Sequence, residues 1–187
     1  RSIEYWGSRE STVDAMLNGF GHVHDCDVSA SASFIRKLVE EGLVKFARDR
    51  VIDIGSGIGR VAENVLLEFV SKVDLVDPNE RFLKDAKSRI NAIRPGAVER
   101  TSACSIQQCE CVEDGRYDLA WLQWVTSYVS DQELVAFLRE KVAARVPLVV
   151  IKDNVGNAEW VDDVDGGVTR TLHKLRALAD VVLDDNQ

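Results

Sequence analysis

No apolar run in this chain approaches the roughly 18 residues that a membrane span needs, so no spanning helix and no membrane partner are expected. Positive charge is not in excess: 23 Lys and Arg stand against 31 Asp and Glu, a net charge of −8. That balance makes a phosphate backbone a poor partner and suits cationic ones. Cysteine is sparse, with Cys26, Cys104, Cys109 and Cys111 in 187 residues. A disulfide framework would have more cysteines in a shorter chain. Cys109 and Cys111 are not at the two-residue gap usual for zinc or redox pairs. In "GHVHDCD", His22, His24 and Cys26 alternate and could share one face of a strand, but no second cluster completes a tetrahedron. No metal is expected, and the cysteines read as reduced, intracellular thiols. No cationic-then-apolar leader is visible, and the chain begins at Arg1, so its true start is not seen. Repeats, low-complexity tracts and linkers are also missing, which predicts a single domain over 1–187.

What is present is a regular alternation. Residues 1–46 read as a helical cover: Ser11 or Thr12 and the serines of "SASASFIRKLVEEGLV" offer N-caps. Phe34, Ile35, Leu38 and Val39 follow at helical spacing, and Gly42 is a stop. The core, 47–187, starts with a buried strand in "RVIDIG" and a helix over 59–70. A second strand over 72–78 precedes a helix over 79–93 with Phe82, Leu83, Ala86 and Ile90 on one face. A short strand is expected near 98–104, a strong one over 117–125, a capped helix over 130–146, a strand over 147–155 and a last helix over 167–180. Apolar strands alternating with helices predict an α/β, Rossmann-like fold, a mostly parallel sheet with helices on both faces.

The turn after the first strand decides the ligand class. Gly55, Gly57 and Gly59 are two apart, with Asp53 two residues before them. Dinucleotide folds instead space glycines G-x-G-x-x-G, and no Walker lysine follows, so a P-loop is excluded. Asp77 lies 22 residues after Gly55, where an acid takes ribose hydroxyls. This turn resembles the first motif of class I methyltransferases, whose cofactor is S-adenosylmethionine (product S-adenosylhomocysteine). That cofactor bears a carboxylate rather than a phosphate, and Arg60 can pair with it. A cation is otherwise disfavoured at a helix N-terminus.

Further stretches narrow the resemblance. "YWGSRESTVDAMLNGFGHVHDCD" (5–27), "DIGSGIGR" (53–60), "VDLVDP" (73–78), "YDLAWLQWV" (117–125), "VVIKDN" (149–154) and "VDDVDGG" (161–167) occur in this order. Together they closely resemble the protein α-N-terminal methyltransferases, which methylate the α-amino group of chains beginning X-Pro-Lys or X-Pro-Arg. The resemblance implies cofactor contacts from Gly55, Gly57, Arg60, Asp77, Pro78, Asn79, Ile106, Gln107 and Gln123. It implies a peptide site in which Trp124 walls the proline, Asn154 bonds the amine, Asp165 stands beside it and Asp162 meets the cation at the third position. Tyr5, Trp6 and Leu17 would close over the peptide. It also implies protein substrates with exposed basic N-termini, a monomer, and work in cytoplasm and nucleus.

Simple chemistry agrees with these roles. Methyl transfer from a sulfonium needs a neutral amine held in line, so positioning supplies most of the effect. A free α-amine has a pKa near 8, so a mild base suffices. An indole face accepts a proline ring, and "DDVD" gathers Asp162, Asp163 and Asp165. Plainer readings stand beside them: "DDVD" as a solvated turn, Asn154 as a strand-end cap, and Trp121 as core.

Three departures from the family matter. A histidine, a proposed base, is usual four residues after the "QW" tryptophan, where this chain has Tyr128. The base role therefore moves to Asp165, with Tyr128 as its orienter. Gly167 replaces a usual serine. The closing strand pair of the class I fold would begin about where the chain stops, at Gln187, so residues are expected to be missing. The alternatives to a protein N-terminal methyltransferase are a catalytically weak or inactive cofactor- and peptide-binding module, a small-molecule methyltransferase and, last, a dinucleotide oxidoreductase.

Overall fold

The computed structural model describes residues 1–184. Three helices come first: α1 (Ser2–Gly7), α2 (Val13–Met16), capped by the Thr12 hydroxyl, and α3 (His24–Glu40). The core follows as β1 (Arg50–Ile54), α4 (Arg60–Asn64), β2 (Lys72–Val76), α5 (Glu80–Ile93), β3 (Val98–Ser102), β4 (Leu119–Gln123), α6 (Asp131–Phe137) and β5 (Val149–Lys152). Three short strands, β6 (Val155–Gly156), β7 (Trp160–Val161) and β8 (Val168–Thr171), precede α7 (Leu172–Asp184).

The main sheet is wholly parallel in the order β3-β2-β1-β4-β5. Its strands β1, β2, β4 and β5 are mostly apolar because both faces are covered, whereas the edge strand β3 (Val-Glu-Arg-Thr-Ser) is largely exposed. Val51, Leu75, Leu119 and Trp121 pack with α3, α4 and α5 on one side. Ile52, Ile54, Val76 and Leu122 pack with α6 and α7 on the other. The order reverses between β1 and β4, and at such a switch point the loops beyond the strand ends diverge and leave a crevice. The helices are anchored locally: the Asn79 side chain accepts from the Arg81 and Phe82 amides, and Ser130 with Glu133 forms a capping box that starts α6.

The α/β class and the helical cover are as expected, but several local expectations need correction. On α3, Ile35 and Leu38 are buried beside Ser31 and Ala32, while Phe34 and Val39 are exposed. The helix starts at His24, ahead of the serines, and a Schellman turn closes it: Leu43 N–H reaches the Leu38 carbonyl across Gly42, whose φ is +72°. His22, His24 and Cys26 sit on helical turns, where alternate residues do not share a face. The helix expected over 59–70 breaks at Val65 (φ −130°), and Leu66–Glu68 continue as a 3-10 turn. The one expected over 130–146 widens to a π-helix over Leu138–Ala143. The last helix begins at Leu172, because β-branched Val168, Thr169 and Thr171 are taken into β8. β8 pairs parallel with β6 and antiparallel with β7, a small second sheet the sequence reading missed. The closing strand pair, expected from about Gln187, lies outside the described residues. No helix among the described residues is long and apolar enough to cross a membrane.

Candidate active site

A cleft of about 580 Å³ lies at the switch point, beyond the ends of β1, β2, β4 and β5. One half is built on the glycine turn. Gly55 (φ +77°) has Val125 so close that an added Cβ would sit 2.7 Å from its side chain. Gly59 (φ +73°) lies against Ala86 and Ile90. Both the left-handed backbone and the close approach demand glycine. Asp77, at the end of β2, holds this turn: its carboxylate accepts from Gly57 N–H and Asn79 N–H, each at 2.8 Å. Burial raises its pKa, while those two amides work to lower it.

Asp53 sits below the turn, 2% exposed, and its Oδ2 has no hydrogen-bond partner. Desolvation is the main cause that pushes its pKa up to about 7; Arg60 opposes this and Asp77 adds to it. Pro78, Asn79, Ile106, Gln107 and Gln123 join Gly55, Gly57, Arg60 and Asp77 in lining the cleft. The structure thus brings the whole expected cofactor set together.

Arg60 is not a free cation there. It is 5% exposed, pairs with Asp27 at 2.7 Å and lies over the Trp124 ring at 5.1 Å. Asp27 was missed by the sequence reading. From α3 it also accepts from Gln123 Nε2 and Lys152 Nζ. Burial acts to raise its pKa, but the hydrogen bonds from Lys152, Arg60 and Gln123 outweigh that and leave it below the ordinary value. One carboxylate therefore docks the helical cover onto β4, β5 and the glycine-turn helix. An aspartate inside an otherwise small and apolar helix face was its only signal in the sequence.

The other half of the cleft is assembled from distant segments. Asp165 is 7% exposed; its Oδ1 accepts from Gly167 N–H at 2.7 Å and its Oδ2 from the Tyr128 hydroxyl at 2.9 Å. Tyr128 is held well above the ordinary tyrosine range, first by burial and then by the Asp165 carboxylate, so it stays a donor. Trp6 packs edge-on to Tyr128 with ring centroids 6.1 Å apart. Trp6, Leu17, Trp124, Asn154 and Asp162 all line the cleft. Trp124 follows β4 with φ +55°, a conformation rare for a bulky residue, and this turns its indole out of the sheet. Trp121, by contrast, is fully buried core, as expected.

One expected residue, and one carboxylate next to the expected pair, stand outside the cleft in this structure. Tyr5 does not line the cleft; it packs edge-on to Trp6 and donates to Asn18 Oδ1 at 2.8 Å, behind the wall. Asp163 is exposed and outside the cleft, because Asp162–Gly167 form the tight β7–β8 turn and only Asp162 and Asp165 face inward. Two supports were missed as well. Asp153 accepts from Thr126 N–H at 3.1 Å and holds the turn that carries Tyr128. Arg170, 4% exposed on β8, donates to the carbonyls of Thr126 and Val129 at 2.7 and 2.6 Å and to Asp131. It fastens the hairpin to the same turn.

The chain is similar to known methyltransferases. A family model described as AdoMet-dependent proline di-methyltransferase matches residues 1–183. The N-terminal Xaa-Pro-Lys N-methyltransferase 1-B of Xenopus laevis is 34% identical over 181 residues, covering 95% of this chain and 80% of that protein. The N-terminal Xaa-Pro-Lys N-methyltransferase 1 of Homo sapiens is 36% identical over 177 residues, 93% of this chain and 78% of that one. Among solved structures, a SAM-dependent methyltransferase from Leishmania major superposes with a TM-score of 0.84 at 28% identity, over 97% of this chain and 71% of its own.

Proposed function

The chain belongs to the AdoMet-dependent proline di-methyltransferase family, and from that premise we propose that it methylates the α-amino group of proteins beginning Xaa-Pro-Lys or Xaa-Pro-Arg, with S-adenosylmethionine as donor. The residues fit that cofactor. The glycine turn leaves room that a Cβ would take, Asp77 suits ribose hydroxyls, and Asp53 Oδ2 lies buried without a partner. Arg60, Pro78, Asn79, Ile106, Gln107 and Gln123 complete the set that would hold it. When bound, it supplies an electrophilic methyl carbon on a sulfonium.

The chain's own task is to present an uncharged amine to that carbon. Trp124 offers an apolar wall for the proline ring, which has no N–H to satisfy. Asp165 already takes two donors, and the remaining lone pairs of its carboxylate can hold the proton that the α-ammonium loses. With a free α-amine pKa near 8, this is a small correction and not strong base chemistry. Tyr128, a donor throughout, keeps the carboxylate aimed. Asn154 bonds the amine, Asp162 faces the lysine or arginine at the third position, and Trp6 and Leu17 exclude water above the peptide. Net charge favours basic tails over neutral ones.

The single observation that carries this reading is a buried carboxylate, Asp165, braced by a tyrosine that is not itself a base, in the same cleft as the glycine turn. The test is transfer of labelled methyl to a peptide beginning Ser-Pro-Lys, run beside its N-acetylated twin. Label in the free peptide alone is expected. Label in both indicates a lysine side chain as acceptor, and cofactor binding without transfer indicates a binding module; either result overturns the proposal.

A further inference from the structure

The methyl-transfer cleft leaves a second cluster unused. Beyond β3 the chain passes Cys104, makes a 3-10 turn over Ile106–Gln108 and returns through Cys109 and Cys111. The spacing of Cys109 and Cys111 alone argued against a metal, but the turn brings in a third thiol that spacing could not reveal. The three Sγ atoms lie within 4.8 Å of one another, and those of Cys109 and Cys111 are 3.1 Å apart. Cys109 is 1% exposed, while Cys104 and Cys111 are half-buried, and all three are free thiols. Metal–sulfur bonds of about 2.3 Å at trigonal or tetrahedral angles put donor sulfurs roughly 3.7–4.0 Å apart. With one pair at 3.1 Å and all three within 4.8 Å, each separation is within about 1 Å of such a spacing, so small side-chain adjustments suffice.

We propose that Cys104, Cys109 and Cys111 bind one thiophilic d10 ion, zinc(II) or copper(I), through three thiolates. Soft sulfur donors select these ions over magnesium or calcium. The cluster has no fourth His, Cys, Asp or Glu donor among the described residues. Copper(I) would therefore be three-coordinate, and zinc would take solvent in its fourth position on the side left open by Cys104 and Cys111. Each thiol gives up its proton to solvent as its sulfur takes the ion. Ligands at both ends of the segment carrying Ile106 and Gln107 would staple that segment, which also lines the cleft.

The test uses the fully reduced chain without oxygen, titrated with cobalt(II) as the coloured stand-in for zinc, and separately with copper(I) against a chromophoric chelator. One equivalent per chain is expected, with a sulfur-to-cobalt charge-transfer band. Zinc displaces the cobalt if zinc is the natural ion; retention of copper(I) against the chelator identifies copper. The double variant Cys109→Ser/Cys111→Ser should weaken binding at least ~10-fold, whereas Cys26→Ser, at the exposed cysteine, should leave it unchanged. Should the double variant not fold, alkylation of the native chain decides: bound metal shields Cys104, Cys109 and Cys111 and leaves Cys26 reactive. Absence of the band together with loss of copper(I) to the chelator, metal binding that survives the double substitution, unshielded alkylation, or a Cys109–Cys111 disulfide (a mass lower by two hydrogens) in place of metal uptake would each overturn the proposal. None of these readouts depends on methyl transfer.

Discussion

The two halves of the cleft are built in opposite ways. The cofactor half is nearly contiguous: β1, its glycine turn, α4 and the end of β2 supply Asp53, Gly55, Gly57, Arg60 and Asp77 within one βαβ unit. The peptide half joins Trp6 and Leu17 from the start of the chain, Trp124 and Tyr128 after β4, Asn154 after β5 and Asp162 and Asp165 from the hairpin. The first is specified by backbone geometry and is intolerant of a single Cβ. The second depends on buried polar ties to the turn that carries Tyr128, from Arg170 on β8 and from Asp153 after β5. Local chain geometry makes a ligand cradle, and long-range hydrogen bonding makes a substrate slot.

Substitutions in the two halves should separate cleanly, and the most damaging lies in the peptide half. Asp165→Asn is expected to lower kcat by about 10²–10⁴-fold, the usual worth of a positioned proton acceptor, with S-adenosylhomocysteine affinity near wild type by calorimetry. An equal loss of cofactor affinity would erase the division between the halves. Gly55→Ala should do the reverse. A left-handed alanine costs about 1–2 kcal/mol, and overpacking against Val125 adds about 1–3 kcal/mol. Cofactor affinity and thermal midpoint should both fall, and unchanged calorimetric affinity would refute the close-approach argument.

A smaller effect is expected where two departures from the family meet. A Cβ on Gly167 would lie 3.1 Å from Tyr128 Cε1 and 3.0 Å from Asp165 Oδ1. The tyrosine ring thus occupies space that a serine would need. Gly167→Ser should cost about 1–3 kcal/mol of stability, and adding Tyr128→His should return most of it. Additive losses in a double-mutant cycle would show that the two positions are independent.

The last change is read through pH and leaves the substrate contacts untouched. Asp53 has its folded-state pKa raised to about 7, so between the unfolded carboxyl value and 7 the folded state holds a proton that the unfolded state has lost. Its contribution to stability therefore falls as pH rises through that window, by at most about 1.4 kcal/mol per unit, and is level above it. Asp53→Asn removes the penalty. The variant's gain in thermal midpoint over wild type should be larger at pH 8 than at pH 5, and a constant gain would contradict the buried, unpaired carboxylate.

Much of the cofactor half was legible because its signals are local. Gly55, Gly57, Gly59 and Asp77 declare a turn and an acid at fixed spacing, whatever packs on them. The hairpin was not legible: β6 and β7 are two residues each, too short for any periodicity, and their pairing depends on β8 being anchored through buried Arg170. The same holds for Asp163, which shares its motif with Asp162 and Asp165 yet faces solvent, because the turn sets which carboxylates point inward. Tyr5 was misplaced for a related reason: adjacent aromatic residues on a short helix diverge, and only Trp6 reaches the cleft.

Period and turn chemistry alone determined that this chain is a parallel α/β fold with a glycine-built ligand cradle, since both follow from residues close in sequence; the methyl donor came from the resemblance of that cradle to a known motif. Which side chains meet across that cradle was decided only by tertiary structure. Asp27 meets Arg60 and Tyr128 meets Asp165 across 33 and 37 positions of chain, and a third thiol joins Cys109 and Cys111 only because the chain turns between them; a charge or polar hydrogen removed from water must find its complement wherever the fold brings one.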